Sequence, residues 1–377
     1  MIFSSYFWGK ILFIKIPTPF LGTLMLFSVE PKTSIKDVFG RKAEFLDFLE
    51  KLENGRRLFV ITGPRRIGKT SFLYASLNEI YRMKKIPYII VDARKVISVN
   101  AHNPAEVIAK DILKLAYGRL SRLETVRGYG IRLRSKSREL TEILEKINEK
   151  YERAIVAFDE AQYLRFAHTD FTLLLAWIYD NLQDLVIVLT GSQVGVLEKF
   201  LRFNDYKAPL YGRYHVRIKL PRFNPSEALE FLERGFAEYN MKVPTRELLS
   251  AVKTLDGVPG WLTHYGAYRV DGLSHWDAIE KVLEEAKGYI ESEFKELDEL
   301  SPRYRAIMEI VATITSTQPT ARRKDILNAL TLREGREIDN KDLRKYLMRL
   351  VDYGFLEHTG YGEYYIPDPV VKRVFQR

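Results

Sequence analysis

The segment that most constrains the fold of this 377-residue chain matches the pattern G-x-x-x-x-G-K-[ST] and reads Gly63-Pro64-Arg65-Arg66-Ile67-Gly68-Lys69-Thr70. In such a loop the glycines let the backbone wrap a chain of phosphates while successive N–H groups point at the oxygens. An apolar run at 57–62 precedes the loop, and a helical pattern follows from 69 to about 83. The order of strand, loop and helix therefore predicts a phosphate site at the positive end of a helix.

We expect the residues of this loop to divide nucleotide binding among them. The ammonium group of Lys69 is predicted to reach the β- and γ-phosphates, and the hydroxyl of Thr70 to ligate Mg²⁺. Nucleotide binding is assigned to the whole segment from Gly63 to Thr70 and to the next residue, Ser71.

A second motif supplies the carboxylates that hydrolysis requires. The apolar run AIVAF at 154–158 ends in Asp159 and Glu160. Ligands bind at the carboxyl ends of parallel strands, so Asp159 is predicted to complete the Mg²⁺ shell and Glu160 to orient and deprotonate the attacking water. Taken without the phosphate loop, these residues would fit a buried strand with an acidic helix cap equally well.

Apolar runs separated by helical patterns define the fold class. The runs are continuous rather than alternating, which indicates strands covered on both faces and hence a parallel α/β sheet. Beyond Pro221 residues 224–298 predict four helices, and 299–377 predict three helices, a hairpin and a last short helix. The five runs lie at 57–62, 88–91, 154–158, 185–189 and 215–220.

Two further residues are candidates for catalysis. Ser192 follows the fourth run, where its hydroxyl would sense the γ-phosphate or position the water, although a helix cap explains it nearly as well. Arg213 precedes the fifth run, where its guanidinium would neutralise charge that develops in phosphoryl transfer, in its own subunit or in a neighbour. A solvated surface arginine is the alternative for Arg213.

Composition narrows the chemistry. The chain has no cysteine, which excludes disulfides and Cys-ligated metal sites and favours a reducing cytoplasm. Its six histidines form no ligand-spaced cluster, so nucleotide-bound Mg²⁺ is the only metal expected. A net charge of +10 favours polyanionic partners. An Asn-Lys-x-Asp motif for guanine is absent, so ATP is preferred over GTP.

In combination and in this order, the motifs resemble the archaeal ATPase family, which belongs to the STAND branch of AAA+-like P-loop ATPases. The resemblance covers about residues 30–377. It implies a sheet of strand order 5-1-4-3-2, a helical lid domain and a C-terminal winged helix. The matching motifs are the phosphate loop, Asp159-Glu160, Thr190-Gly191-Ser192, Leu-x-Gly-Arg at 210–213, and Gly257-Val258-Pro259-Gly260-Trp261-Leu262.

The resemblance also assigns residues to the base and sugar. It implies that Phe39 and Arg41 flank the adenine and that Pro259 lies near the adenine or ribose. The sequence shows no protein–protein repeat array of the kind that larger STAND proteins append, so a scaffold role is not carried over.

We divide the chain into four parts on these grounds. They are an apolar N-terminal extension at 1–29, a P-loop ATPase domain at 30–221, a lid domain at 222–298 and a winged-helix domain at 299–377. Charged residues and prolines interrupt the extension, which leaves no run of about 18 apolar residues for a membrane-spanning helix. A signal peptide is the less favoured alternative, because no cleavage site follows. We expect either a packed extension or a true start at Met25.

Two segments are candidate DNA contacts. The predicted helix at 339–353 carries four cations and three acids, so docking onto a partner protein explains it as well as duplex binding does. The segment Arg119–Arg138 holds seven cations and one acid around Tyr129, and could track a phosphate backbone and stack a base. A solvated insertion is the alternative for this segment.

The leading hypothesis is an ATP-binding, Mg²⁺-dependent ATPase that switches its lid and winged helix between two arrangements. The alternative is a DNA-binding regulator in which ATP is a structural or signalling ligand. The sequence leaves the oligomeric state open, and Arg213 acting on a neighbour would require contact between subunits.

Overall fold

The main sheet has five parallel strands. A computed structural model of the chain describes residues 25–98, 108–113, 136–167 and 170–376. The strands are β1 Leu58–Thr62, β2 Tyr88–Asp92, β3 Ala154–Asp159, β4 Leu185–Gly191 and β5 Val216–Lys219. Their order in the sheet is β2-β3-β4-β1-β5, which confirms the expected order 5-1-4-3-2 and the P-loop fold class.

Burial along the strands explains why the sequence shows continuous apolar runs. Every residue of β1, β3 and β4 is buried, because these three strands are central and covered by helices on both faces. The edge strand β5 instead alternates buried and exposed residues. All five strands are parallel, so their carboxyl ends, which carry the predicted site residues, meet at one edge of the sheet.

Helices of the ATPase domain pack on both faces of this sheet. The first helix runs from Lys42 to Glu53 and buries Phe45 and Phe48. The predicted helix from 69 begins at Lys69, directly after the phosphate loop, and ends at Lys84. Further helices among the described residues are Lys95–Ser98, Lys136–Lys150, Phe171–Asn181, Val194–Leu201 and the helical residues 108–113, with 3-10 turns at Ile35–Asp37 and Ala161–Phe166.

The four helices expected for the lid are present. The first begins with a capping box, in which the side chains of Asn224 and Glu227 each accept a hydrogen bond from the backbone N–H of the other residue. The helices are Pro225–Glu238, Thr245–Leu255, Pro259–Val270 and His275–Leu300.

Residues just after Met25 form part of the core of the lid. The ring of Phe27 lies so close to Gly235 and Gly266 that a Cβ on either glycine would stand 2.2 or 2.3 Å from it. The Leu26 N–H donates to Glu238 Oε2 at 2.6 Å. The described end of the predicted extension is therefore packed, whereas its residues 1–24 lie outside the described ranges.

The C-terminal region is the expected winged helix. A small antiparallel sheet of order β6-β8-β7 comprises Ala321–Arg322, Glu363–Tyr365 and Glu357–His358. The tip of the hairpin carries the fully exposed Tyr361 between two glycines of positive φ. The helices are Arg303–Ile314, Arg323–Glu334, Asn340–Asp352 and Pro369–Phe375.

The lid and the winged helix share a hydrophobic core. The ring centroid of Phe294, on the long lid helix, lies 4.9 Å from that of Phe355 and 4.9 Å from that of Phe375. The predicted domain boundary at 298 falls inside that helix, His275–Leu300, and all three boundaries between the four parts stay predictions. Within the described ranges, no helix combines the length and the apolarity needed to cross a bilayer.

Candidate nucleotide site

The phosphate loop is shaped by backbone conformation as well as by sequence. Gly68 has φ +89°, in the left-handed region that glycine adopts without a steric penalty, and it caps the helix that starts at Lys69. This turn aims the free N–H groups of the first helical turn into the loop. The geometry suits an anion such as a phosphate.

Lys69 lies in the mouth of the loop. Its Nζ donates to the carbonyl oxygens of Gly63 at 3.0 Å and of Pro64 at 2.7 Å. Burial lowers the pKa of Lys69 to about 8, although the carboxylates of Glu160 and Asp159 act in the opposite direction. The side chain is thus a buried cation at the point where phosphate charge would be neutralised.

Asp159 joins the phosphate loop to the neighbouring strand. Thr70 Oγ1 donates to Asp159 Oδ2 at 2.9 Å, and Thr190 Oγ1 donates to Asp159 Oδ1. Burial raises the pKa of Asp159, although both threonine hydroxyls oppose that shift. A hydroxyl and a carboxylate oxygen side by side form the oxygen donor set that Mg²⁺ uses together with phosphates. The residues present therefore fit this metal.

Glu160 is held by two residues from separate segments. Its Oε2 accepts hydrogen bonds from Gln162 Nε2 at 2.6 Å, Ser192 Oγ at 2.8 Å and the Ser192 N–H at 3.1 Å. Burial by itself would raise the pKa of Glu160, but Lys69 and these three donors together hold it below its ordinary value. Glu160 is therefore an anchored carboxylate close to a buried cation.

A cavity of about 460 Å³ brings most of the predicted site residues together. Gly63, Pro64 and Asp159 are not in its lining but bond to Lys69 and Thr70, which are. The predicted residues that line it are Phe39, Arg41, Arg65, Arg66, Ile67, Gly68, Lys69, Thr70, Ser71, Glu160, Ser192 and Pro259.

The residues assigned to the base and sugar lie at the lid side of this cavity. Phe39 packs edge-on against Phe223, with ring centroids 5.4 Å apart. The buried Arg41 donates from Nη2 to the Pro221 carbonyl oxygen at 2.5 Å, and its guanidinium lies 5.0 Å from the Phe223 ring. Pro259 is the first residue of a lid helix. All three residues line the cavity, and their contact with adenine or ribose stays a prediction.

Arg213 lies away from the cavity. Its Nε donates to Asp180 Oδ1 at 3.0 Å, and its Nη1 donates to the Pro209 carbonyl oxygen. The structure thus gives Arg213 an ion-pair partner within its own chain and does not bring it to the nucleotide site. Action in a neighbouring subunit stays a prediction.

Sequence reasoning missed several residues of the site. Thr190 and Gln162 contact the two key carboxylates, and Arg94 lines the cavity at the end of β2. Thr190 belongs to the Thr-Gly-Ser motif, so a signal was present there. Lys32 also lines the cavity, and its N–H donates to Ser71 Oγ at 3.2 Å, a contact between distant residues that periodicity cannot show.

The two arginines of the phosphate loop contact the other domains. Arg65 Nη1 lies 2.5 Å from Glu293 Oε2 on the long lid helix, and its guanidinium is 5.1 Å from the ring of Phe355 in the winged helix. The guanidinium of Arg66 lies 4.1 Å from the ring of Trp261 and 4.0 Å from that of Tyr289. The loop that would hold the phosphates is therefore in direct contact with the lid and the winged helix.

The winged helix also packs against the helix Val194–Leu201, which begins two residues after Ser192. A Cβ on Gly195 would stand 2.4 Å from the Cα of Asp352, and Asp352 forms an ion pair with Lys199. Tyr353 donates to Glu296 Oε1 at 2.6 Å, and Arg165 pairs with that same oxygen at 3.2 Å. The segment after β4 thus contacts the winged helix directly, and the segment after β3 contacts it through the lid residue Glu296.

The two candidate DNA segments differ in what the structure shows of them. Residues 119–135, most of the basic segment, lie outside the described ranges. In the winged helix Lys341 and Arg344 are exposed, whereas Lys345 is paired with Asp342 at 2.9 Å.

Comparisons with known proteins agree with the fold. A family model described as an ATPase domain predominantly from Archaea matches residues 38–264, and a model of the MCM C-terminal winged helix-turn-helix domain matches 298–367. A solved Walker-type ATPase of Pyrococcus abyssi is 34% identical with a TM-score of 0.79, over 93% of this chain and 99% of that chain.

A more distant structure shares the fold. The Aeropyrum pernix ORC2 protein, solved with ADPNP and ADP, is 17% identical with a TM-score of 0.60, over 93% of this chain and 97% of that chain. A comparison with curated proteins gives no match. The chain belongs to the family of ATPase domains that occur predominantly in Archaea, which confirms the resemblance to the archaeal ATPase family, whereas the STAND branch stays a prediction.

Proposed function

We propose that this archaeal ATPase binds ATP with Mg²⁺, hydrolyses it to ADP and phosphate, and passes the nucleotide state to its lid and winged helix. The observation that carries the proposal is the pair of anchored carboxylates beside the phosphate loop. Asp159 is bonded to Thr70 at 2.9 Å, and Glu160 is held by Ser192 at 2.8 Å and lines the same cavity as Lys69. The absence of cysteine favours the cytoplasm as its location.

Each group has a distinct part in the proposed reaction. The N–H groups at the start of the helix and the Lys69 ammonium bind the phosphates and favour the charge that develops on them. Thr70 and Asp159 would hold Mg²⁺, which supplies charge neutralisation at the phosphate oxygens when bound. Glu160 orients a water molecule and accepts its proton, while Ser192 fixes one oxygen of that carboxylate.

Transmission to the other domains rests on the loop arginines. Arg65 and Arg66 lie in the phosphate loop, yet their partners Glu293 and Trp261 belong to the lid. A ligand that brings negative charge into the loop competes with Glu293 for Arg65, because both are anions near one guanidinium. The lid and winged helix would respond to that competition.

We expect ATP turnover to require Mg²⁺ and the Thr70 hydroxyl. EDTA should stop phosphate release, and added Mg²⁺ should restore it. Thr70→Val keeps the side-chain shape but removes a metal ligand, so it should raise the Mg²⁺ concentration needed for half-maximal turnover about tenfold or more. The matched control is Thr172→Val, because the Thr172 hydroxyl likewise donates to an aspartate, Asp170, at 2.6 Å. Equal Mg²⁺ requirements in both variants would contradict the assignment.

A DNA-binding regulator is the second candidate, and the surface of the winged helix favours it. Burial raises the pKa of Tyr364 on the hairpin, and both Arg323 and Arg344 oppose this shift, so two cations from separate helices lie near that strand. The tip residue Tyr361 is fully exposed on the same hairpin. Cations beside an exposed hairpin suit the phosphate backbone of a duplex.

We expect the Arg323→Gln, Arg344→Gln double variant to bind duplex DNA more weakly at all sequences. Two lost phosphate contacts should reduce the slope of log affinity against log salt by about 2. The control is Lys295→Gln, which removes an exposed cation from the lid and should change neither the DNA affinity nor the salt slope. Fluorescence anisotropy with and without ATP would measure both quantities. An unchanged salt slope would exclude this surface as the DNA contact. A DNA affinity that is the same with and without ATP would exclude coupling between nucleotide binding and DNA binding.

A further inference from the structure

We infer that Gln162 is a positioning residue that holds Glu160 for water activation, an inference that rests on the proposed role of Glu160. Gln162 lies two residues after Glu160 in the 3-10 turn Ala161–Phe166 and is fully buried. Its Nε2 donates to Glu160 Oε2 at 2.6 Å. The contact is a hydrogen bond to an ionised acceptor, the stronger class of side-chain hydrogen bond.

The chemistry fixes which end of the amide faces the carboxylate. An ionised carboxylate only accepts hydrogen bonds, so the NH₂ group must point at Glu160 and the amide oxygen away from it. That oxygen, Gln162 Oε1, is buried and has no hydrogen-bond partner among the described residues. An unpaired buried oxygen carries a desolvation cost. Gln162 thus leaves its Oε1 without a hydrogen bond in the same position that lets its Nε2 donate to Glu160.

Gly191 provides the space for this arrangement. A Cβ at position 191 would stand 2.9 Å from Gln162 Oε1 and 2.7 Å from a methyl carbon of Leu197. No φ in the left-handed region is found for Gly191, so the glycine answers a need for room and not for backbone freedom. The glycine of the Thr-Gly-Ser motif and Gln162 therefore form one packing unit under Glu160.

The hydrogen bonds leave the two carboxylate oxygens of Glu160 unequal. Gln162 and Ser192 both donate to Oε2, and in the described part of the chain no hydrogen bond reaches Oε1. Glu160 is placed in the left-handed region, at φ +55° and ψ +47°, by the turn that begins there. Two anchors on one oxygen fix the plane of the carboxylate and present the other oxygen to the cavity. Loss of one anchor would let the carboxylate rotate.

The test compares Gln162→Met with a matched glutamine. Gln193 is also buried, and its Oε1 likewise lacks a partner, but it forms no hydrogen bond with Glu160 and does not line the cavity. Methionine keeps the volume and removes the donor. We expect Gln162→Met to lower kcat about tenfold, in keeping with one hydrogen bond to a charged group, and to leave KM and ATP affinity within about twofold. Gln193→Met should leave kcat within about twofold.

Each outcome has a distinct meaning. A kcat in Gln162→Met equal to or above that of the wild type, or a change confined to KM, overturns the positioning role, whereas Gln162→Ala repeating the loss supports it. Thermal unfolding shows whether either variant is unfolded at the assay temperature. The Glu160→Gln protein is run in parallel. Full turnover in that protein overturns the proposed function of Glu160 and this inference with it, whereas its inactivity beside a fully active Gln162→Met overturns the inference alone.

Discussion

The Glu160→Gln protein should bind ATP as the wild type does and lose turnover by a factor of about 10²–10⁴, the usual contribution of a general base. The amide has nearly the shape of the carboxylate but cannot take a proton from water. Lys69, Thr70 and the phosphate loop remain in place, so the groups assigned to binding are unchanged. Single-turnover phosphate release and equilibrium binding of ATP measure the two effects separately.

A second buried carboxylate gives the control for this substitution. Glu309 is buried in the winged helix and pairs with Arg333 at 2.6 Å, remote from the proposed chemistry. Glu309→Gln should reduce the free energy of unfolding and leave turnover per folded molecule unchanged. If Glu160→Gln kept wild-type turnover, the assignment of Glu160 as the base would be wrong. If Glu160→Gln lost ATP binding as well, the main role of Glu160 would be to keep the neighbouring Lys69 charged.

Local patterns were sufficient to predict the phosphate loop and the carboxylate pair. Both occur within a few residues, and each follows an apolar run that could only be a buried strand. The chemistry of Lys69, Thr70, Asp159 and Glu160 depends on that local order, so their convergence at one edge of the sheet followed from parallel strands. The strand order itself came from the family resemblance, because strand spacing alone does not determine which strands are neighbours.

Contacts between distant residues were beyond the sequence patterns. Arg213 lies in a Leu-x-Gly-Arg motif, but whether it faces the nucleotide depends on Asp180, which lies 33 positions away and pairs with it. Phe27 is one apolar residue in an apolar segment, and its place in the lid depends on two glycines more than 200 residues later. Such pairings depend on the packing of whole helices, which periodicity describes only face by face.

Thr190 shows how much strand register adds. In β3 and β4, Phe158 pairs with Leu189, so the next residues along, Asp159 and Thr190, also lie side by side. The neighbouring position of these two strands was implied in advance, but a shift of one residue would have turned the hydroxyl to the other face of the sheet. The contact between the Thr190 hydroxyl and Asp159 therefore depends on the strand register, which only the structure provides.

The Gly257→Ala protein should lose about 3 kcal/mol or more of unfolding free energy, at the upper end for an overpacked site. Gly257 lies in the turn before Pro259, and its carbonyl oxygen accepts a hydrogen bond from the Phe223 N–H at 2.8 Å. A Cβ on Gly257 would stand 1.8 Å from the Phe223 carbonyl oxygen, so the two backbones must separate. Because Phe223 also packs against Phe39 and Arg41, ATP affinity should fall with stability. Urea denaturation and ATP titration measure the two losses.

The same substitution elsewhere in the lid should have the opposite sign. Gly288 lies inside the long helix His275–Leu300, and a Cβ there would meet no atom within 4 Å. Gly288→Ala should therefore raise the unfolding free energy by about 0.5–1 kcal/mol, the cost of glycine in a helix interior, and leave ATP affinity unchanged. The contrast separates the two reasons for a glycine, since only Gly257 is required by the approach of another backbone. Equal stability of the two alanine variants would mean that the close approach of Gly257 to Phe223 does not exist in solution, and that the lid is joined to the cavity wall by other contacts.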